Sequence, residues 1–169
     1  KNDFGDDDLT TVLSTLKPML ENVTLPKTGQ NIKYDVLILK RNGIDVKGIE
    51  FDTMIAAHVL NPTSRSYKLD TLSVEHLNYE MIPIENLIGK GRNQIIMDQV
   101  SLDKIASYAA ENADITFQLT KLFMSRLKEN DLLNFFQKIE IPLIPVLVSM
   151  EKDGVFVDLR LLTEMSVEI

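Results

Sequence analysis

One helical pattern runs from residue 101 to about residue 128, opened by Ser101 and Asp103, and it constrains the fold more than any other feature of the chain. At ~1.5 Å per residue it spans roughly 40 Å, the width of a small domain, so the remaining elements have to pack along it. The 169 residues are 44% hydrophobic, enough to bury a sizeable core, and we expect one globular domain with a terminal extension. No run of about 18 apolar residues occurs and the first ten residues are polar, so the expectation is a soluble chain without an export signal or a membrane partner.

Shorter elements flank the long one. Apolar Leu9, Val12, Leu13, Leu16 and Leu20 recur at helical spacing, with Asp8 in position to cap the start and Pro18 near the end. Residues 25–30 form a connection with room for a short strand. Asn31 stands as the N-cap of a helix reaching Asn42, and Gly43 follows where left-handed geometry stops helices. Asp52 or Thr53 caps a helix ending at Asn61-Pro62, and residues 70–77 form another. Residues 62–66 and 89–94 are polar loops. Residues 131–150 continue as helix, with interruptions expected at Pro142 and Pro145. The alternation Val155-Phe156-Val157-Asp158 predicts a short strand before a last amphipathic segment.

Chemistry is limited first by what is missing. Without cysteine there are no disulfides and no thiolate metal sites, so any metal must be held by oxygen or imidazole. A formal net charge of −7 argues against gripping nucleic acid through a broad basic face. A carboxylate-rich metal site can still act on nucleic acid, because bound cations reverse the local field. Two pairs stand out. Asn31 and Asp35 are four residues apart near a helix start, and Tyr108 and Asn112 are four apart on the long helix, so each pair shares a face. Taken alone, an acid in a first helical turn and a tyrosine at core spacing are explained by the helix dipole and by packing.

The ordered set changes that weighting. GQNIKYD (29–35), FDTMIAAHVLNP (51–62), LDTLSVEHL (69–77), GKGRNQ (89–94) and YAAENADIT (108–116) together resemble the later half of the 3′–5′ exonuclease domain of family A bacterial DNA polymerases. IEIPLIPVLVSMEKDGVFVD (139–158) is similar to the join between that domain and the polymerase domain. The join separates the chain from other four-carboxylate exonucleases, such as ribonuclease D relatives acting on RNA ends.

The resemblance implies an α/β, ribonuclease H-like exonuclease domain over residues 1–138 and the start of a polymerase domain over 139–169. It implies that most of the sheet lies upstream, leaving these residues helix-rich. In the family, carboxylates hold two divalent ions, Mg²⁺ or Mn²⁺, at the terminal phosphodiester of single-stranded DNA. By residue match Asp35 takes the carboxylate of the second motif and Tyr108 the water-orienting tyrosine of the third. Gln30, Asn31 and Tyr34 fall where the family meets the DNA end, and Arg65 falls one residue out of register with a phosphate-contacting arginine.

Two departures follow from the same resemblance. The first motif, an Asp-x-Glu on a strand, is expected upstream of these residues, and the charge run Asp6-Asp7-Asp8 before the first helix is no substitute. Asn112 stands where the third motif has a metal-binding aspartate. An amide oxygen can ligate a cation, but the site loses a full charge, and Asp114 is about 200° further around the helix. The expectation is a chain inactive as a nuclease by itself, belonging to a bacterial, cytoplasmic polymerase that takes primer-template DNA and dNTPs. The alternative is a vestigial scaffold that supports the polymerase domain without chemistry of its own.

Other signals carry less. Asp3-Phe4-Gly5 spells a kinase metal motif with none of its accompanying motifs, and residues 89–94 lack the spacing of a nucleotide-binding loop. His58 and His76 are isolated and expected to be half-buried helix residues. Phe135-Phe136 and the methionines are expected to fill core gaps or face a neighbouring domain.

Overall fold

A computed structural model describes residues 6–168, so Asp3-Phe4-Gly5 lies outside the described residues. The predicted long helix is present as α6, Leu102–Glu129, 28 residues without a break. Its buried stripe, Ile115, Thr116, Leu119, Phe123 and Leu127, recurs every three or four positions. Against that stripe pack α3 (Thr53–Leu60), α4 (Leu69–Leu77) and the short strand β1 (Lys27–Gly29).

Helix α2 (Ile32–Arg41) connects β1 to β2 (Ile49–Asp52), and the two strands pair in parallel with Thr28 opposite Phe51 and Gly29 opposite Asp52. This is a minimal strand-helix-strand unit, the usual crossover that joins a parallel pair. Sequence reading missed β2, because residues 49–52 alternate too briefly to signal a strand and only pairing with β1 fixes their backbone. Tight approach explains Gly29: a Cβ there would lie 2.9 Å from the Cβ of Ile32. Gly48, just before β2, has φ +70°, and a Cβ would come within 2.7 Å of the Leu25 carbonyl oxygen.

The second long helical run is continuous from Leu133 to Asp153. It begins as α7 (Leu133–Phe135), widens into a π-helical turn over Phe136–Glu140, and continues as α8 (Ile141–Asp153). The expected interruptions at Pro142 and Pro145 do not occur. Pro142 falls in the first turn of α8, and the wide turn before it relieves the crowding that a proline imposes on the preceding carbonyls. Among the described residues this is the one helix long and apolar enough, by length and composition, to cross a membrane. Here Phe136, Ile141, Ile144 and Val148 enter the core, α8 lying on α2 and β2. Phe136 stacks tilted against Phe51 with ring centroids 4.8 Å apart, while Phe135 faces outward, so the adjacent pair divides between core and surface.

Three further expectations are corrected. Helix α1 is described over Asp6–Leu20, so Asp6-Asp7-Asp8 lies within the helix rather than before it, and Asp8 is not its N-cap. Pro18 lies inside α1, two residues before its end. Residues 155–157 form no strand: no neighbour offers a ladder, and an unpaired strand has nothing to satisfy its backbone. After them comes α9 (Leu159–Glu168). His76 is half-buried as expected, but His58 is exposed and meets the Tyr67 ring edge-on.

Candidate functional site

The start of α2 is held by a carboxylate from a distant position. Asn31 occupies the predicted N-cap position but makes no capping hydrogen bond with its side chain. It adopts left-handed geometry, φ 55° and ψ 44°, which asparagine tolerates better than most residues. The cap is Asp52, at the end of β2. Its carboxylate accepts from the backbone N–H of Asn31 at 3.3 Å and of Ile32 at 2.7 Å. It also accepts from the N–H of Met54 at 2.8 Å and of Ile55 at 3.1 Å, the first turn of α3. One carboxylate, 1% exposed, therefore closes two helix starts and fixes them to the same strand end.

One turn into α2 stands Asp35. It borders a cleft of about 520 Å³ shared with Gly29 and Gln30 from the β1 end, Leu69 from α4, and Asn112, Thr116 and Phe117 from α6. Three of the sequence candidates, Gln30, Asp35 and Asn112, are thus brought together, although 77 positions separate the last two. The walls are tied: the Thr120 hydroxyl donates to the Thr116 carbonyl at 2.8 Å, so the Thr28 hydroxyl is the donor in its 2.9 Å contact with Thr120. That bond joins β1 to α6 beside the cleft.

Electrostatics distinguishes the two acids near it. Asp35 is exposed at the cleft edge, yet its pKa is raised above the ordinary carboxylate value, first by loss of water around the carboxyl and then by the charge of Asp52. Burial also raises Asp52, outweighing the backbone donors that pull it down. Asp52 is a poor ligand for a cation, because it is buried and its carboxylate already accepts from four backbone N–H groups. No group of three or more His, Cys, Asp or Glu able to hold a metal occurs among the described residues. The cleft offers a cation the Asp35 carboxylate and the Asn112 amide oxygen, against the six or so oxygens that a hard divalent ion takes. That donor set does not amount to a two-ion centre.

The remaining candidates differ in what they present. Gln30 lines the cleft but is committed at both ends, its Nε2 donating to the Tyr67 carbonyl at 2.7 Å and its Oε1 accepting from Thr53. Tyr34 is 62% exposed and Asn31 is exposed beside it, at the open start of α2. Tyr108 is half-buried one turn before Asn112 on the same face of α6 and does not line the cleft. Arg65 is exposed in the loop between α3 and α4 and does not line it either. Asp114 points away, accepting from Gln118 at 2.7 Å, as its angular position predicts.

Sequence reading missed three contributions. Asp52 was legible as a cap for α3, but its service to α2, 20 positions earlier, had no local signal. The Thr28–Thr120 link had none. Glu111, next to Asn112, accepts from the Tyr79 hydroxyl and from the Ile82 N–H, both at 2.8 Å, and so fastens the segment after α4 to the middle of α6.

The family model for the 3′–5′ exonuclease of type A DNA polymerases matches residues 3–128, a span that ends one residue before α6 does. DNA polymerase I of Rhizobium leguminosarum is 37% identical over 157 residues, 93% of this chain and 15% of that protein. DNA polymerase I of Pseudomonas aeruginosa is 36% identical over 161 residues, 94% of this chain and 18% of that protein. The chain therefore spans less than a fifth of the length of these relatives. A solved structure titled as the POL domain of Pol1 from M. smegmatis, in complex with DNA primer-template and dNTP, superimposes with a TM-score of 0.73. It covers 97% of this chain and 24% of that one at 23% identity, a likeness of fold. The match over residues 3–128, together with the relatives above 30% identity, means that the chain belongs to the 3′–5′ exonuclease family of type A DNA polymerases.

Proposed function

We propose that residues 1–138 are the later part of a proofreading domain that receives the single-stranded 3′ end of DNA, and that residues 139–169 begin the polymerase domain of the same protein. The whole protein would extend primer-template DNA from dNTPs in the cytoplasm of a bacterium. The observation that carries this reading is the meeting of Asp35 and Asn112 in one cleft of about 520 Å³ between the start of α2 and the middle of α6.

In this reading the Asp35 carboxylate and the Asn112 amide oxygen face the terminal phosphodiester, and the family match gives the attacking water to Tyr108, one turn before Asn112 and outside the cleft lining. Tyr34 and Asn31, exposed at the helix start, meet the terminal nucleotides. Gln30 positions rather than binds, since both its polar ends are taken. Arg65, exposed and without an ion pair among the described residues, meets a phosphate further along the strand. A divalent Mg²⁺ or Mn²⁺ would supply charge neutralisation at the phosphate when bound. The Asp35–Asn112 donor pair holds such an ion weakly, so the chain by itself degrades DNA poorly or not at all.

A scaffold reading, without chemistry, is favoured by the same amide at position 112. The experiment that separates the two is Mn²⁺ binding and digestion of 3′-labelled single-stranded DNA by the chain and by Asn112→Asp. Restoring the carboxylate should tighten Mn²⁺ binding by about tenfold, one charge-assisted contact. Tightening that disappears in Asn112→Asp/Asp35→Ala supports the nuclease ancestry of the cleft. Unchanged affinity in Asn112→Asp supports the scaffold. Robust digestion by the unaltered chain, lost on Asp35→Ala, overturns the claim of weak activity.

A further inference from the structure

A second cleft opens on the carboxyl-terminal half of α6, away from Asp35. It measures about 300 Å³ and lies between α3, α4 and α6, with Leu72 and Phe123 as apolar floor and Glu75, His76 and Arg126 among its polar lining. We propose that it binds a phosphoryl oxyanion through the guanidinium of Arg126.

Arg126 is half-buried, and its Nη1 lies 3.1 Å from Nδ1 of His76. A guanidinium has only donors, so Nδ1 is the acceptor and the imidazole is neutral, with its proton on Nε2. The surroundings enforce that state: burial and the positive charge of Arg126 hold His76 below its ordinary pKa, with Glu75 opposing them. The ring is fixed in turn by Phe123, edge to face at 5.0 Å. The histidine therefore orients the guanidinium without neutralising it.

No carboxylate among the described residues comes within ion-pair distance of Arg126. No buried side-chain nitrogen or oxygen among them lacks a partner, so the unused guanidinium donors are reached by solvent rather than sealed in the protein, and Arg126 is part of the cleft wall. Neighbouring hydroxyls are already engaged, Tyr67 donating to the Asn61 carbonyl at 2.7 Å and Ser64 to the Ser66 carbonyl at 3.0 Å. The cleft's one cationic donor is thus the planar Arg126 guanidinium, whose fork matches the oxygens of a phosphoryl group, with the side-chain amides of Asn61 and Asn130 beside it. Glu75 is exposed on the rim and its charge weakens the site. The volume is at the lower end for small-molecule sites, enough for a phosphoryl group with a sugar attached.

The test is titration of the whole chain, followed by amide NMR shifts, with inorganic phosphate against chloride at equal ionic strength. Saturable shifts on α4 and the second half of α6 are expected with phosphate alone, unchanged by Asp35→Ala, so the outcome is independent of the first cleft. Arg126→Gln, with circular dichroism as the folding control, should weaken binding by about tenfold or more, the loss of a charge-assisted contact. Glu75→Gln should tighten it about two- to threefold by removing a nearby like charge. Thymidine monophosphate and a short oligothymidylate separate the sources: preference for the former assigns the site to free nucleotides, preference for the latter to the DNA backbone. The proposal is overturned if phosphate produces no saturable shift, or if folded Arg126→Gln binds as the unaltered chain does. Should Arg126→Gln fail to fold, unchanged affinity in Glu75→Gln overturns it instead.

Discussion

The β1–α2–β2 unit is poorer in apolar residues than the segment from Gly154 onward, yet it is the one that supplies the core. In the first, Phe51 is 1% exposed against Phe136, and Asp52 closes two helix starts beside it. In the second, Val155 is 88% and Phe156 91% exposed, and neither has a strand to pair with. Hydrophobicity by itself did not decide burial. Residues 49–52 found a parallel neighbour and two helices, and residues 155–157 found none, so one short stretch became a strand and the other, more apolar, became bare chain.

That contrast can be broken at its strong end first. Phe51→Ala should lower stability by about 3–5 kcal/mol in urea unfolding, because it empties the contact between β2 and the π-helical turn. A loss under about 1 kcal/mol would mean that the strand-helix-strand unit is not the centre of the core. Asp52→Ala should cost about 2–3 kcal/mol, two helix caps plus the penalty of leaving buried N–H groups unpaired. Hydrogen exchange should show the loss in the first turns of both α2 and α3. Protection lost in α3 alone would refute the shared cap.

pH sharpens the same comparison, with a definite sign. Asp35 and Asp52 both have pKa values raised above 3.8 in the fold, so the folded chain binds more protons than the unfolded chain just above that value. Their stabilising contribution is present below pH 3.8 and is lost as pH rises through the raised values. Asp35→Asn should therefore flatten the fall in stability over that window, measured as unfolding free energy against pH. A steeper fall would reverse the assignment. At the weak end, Phe156→Ser should change stability by less than about 0.5 kcal/mol, because the side chain touches little in this chain. A larger loss would show that residues 154–168 share the core after all.

Much of the helical framework was legible locally. The 3.6-residue rhythm of α6, the Asp52-Thr53 start of α3, and the glycine after α2 each state their role within a few neighbours. The site was legible only as pairs, Asn31 with Asp35 and Tyr108 with Asn112, because four-residue spacing shows which side chains share a helix face and nothing about which faces meet. Local rules failed where a distant partner intervened. Asn31 had the right residue type for a cap, but Asp52 took that role from 21 positions away. Pro142 and Pro145 had the right type to interrupt a helix, but a π-helical turn absorbed the first and packing on α2 and β2 kept the run continuous.

The amino-acid sequence by itself determined the periodic faces, the choice of Asn112 over a carboxylate, and the ordered motifs that mark the family, since all of these are written in residue types and short spacings. Tertiary structure alone decided that Asp35 and Asn112 share a cleft, that Asp52 is spent on backbone N–H groups rather than left for a cation, and that residues 49–52 are a strand while residues 155–157 are not. The reason is physical: hydrogen bonding across a sheet, desolvation of a carboxylate and convergence of two helices depend on groups far apart in the chain, and no local pattern contains their distances.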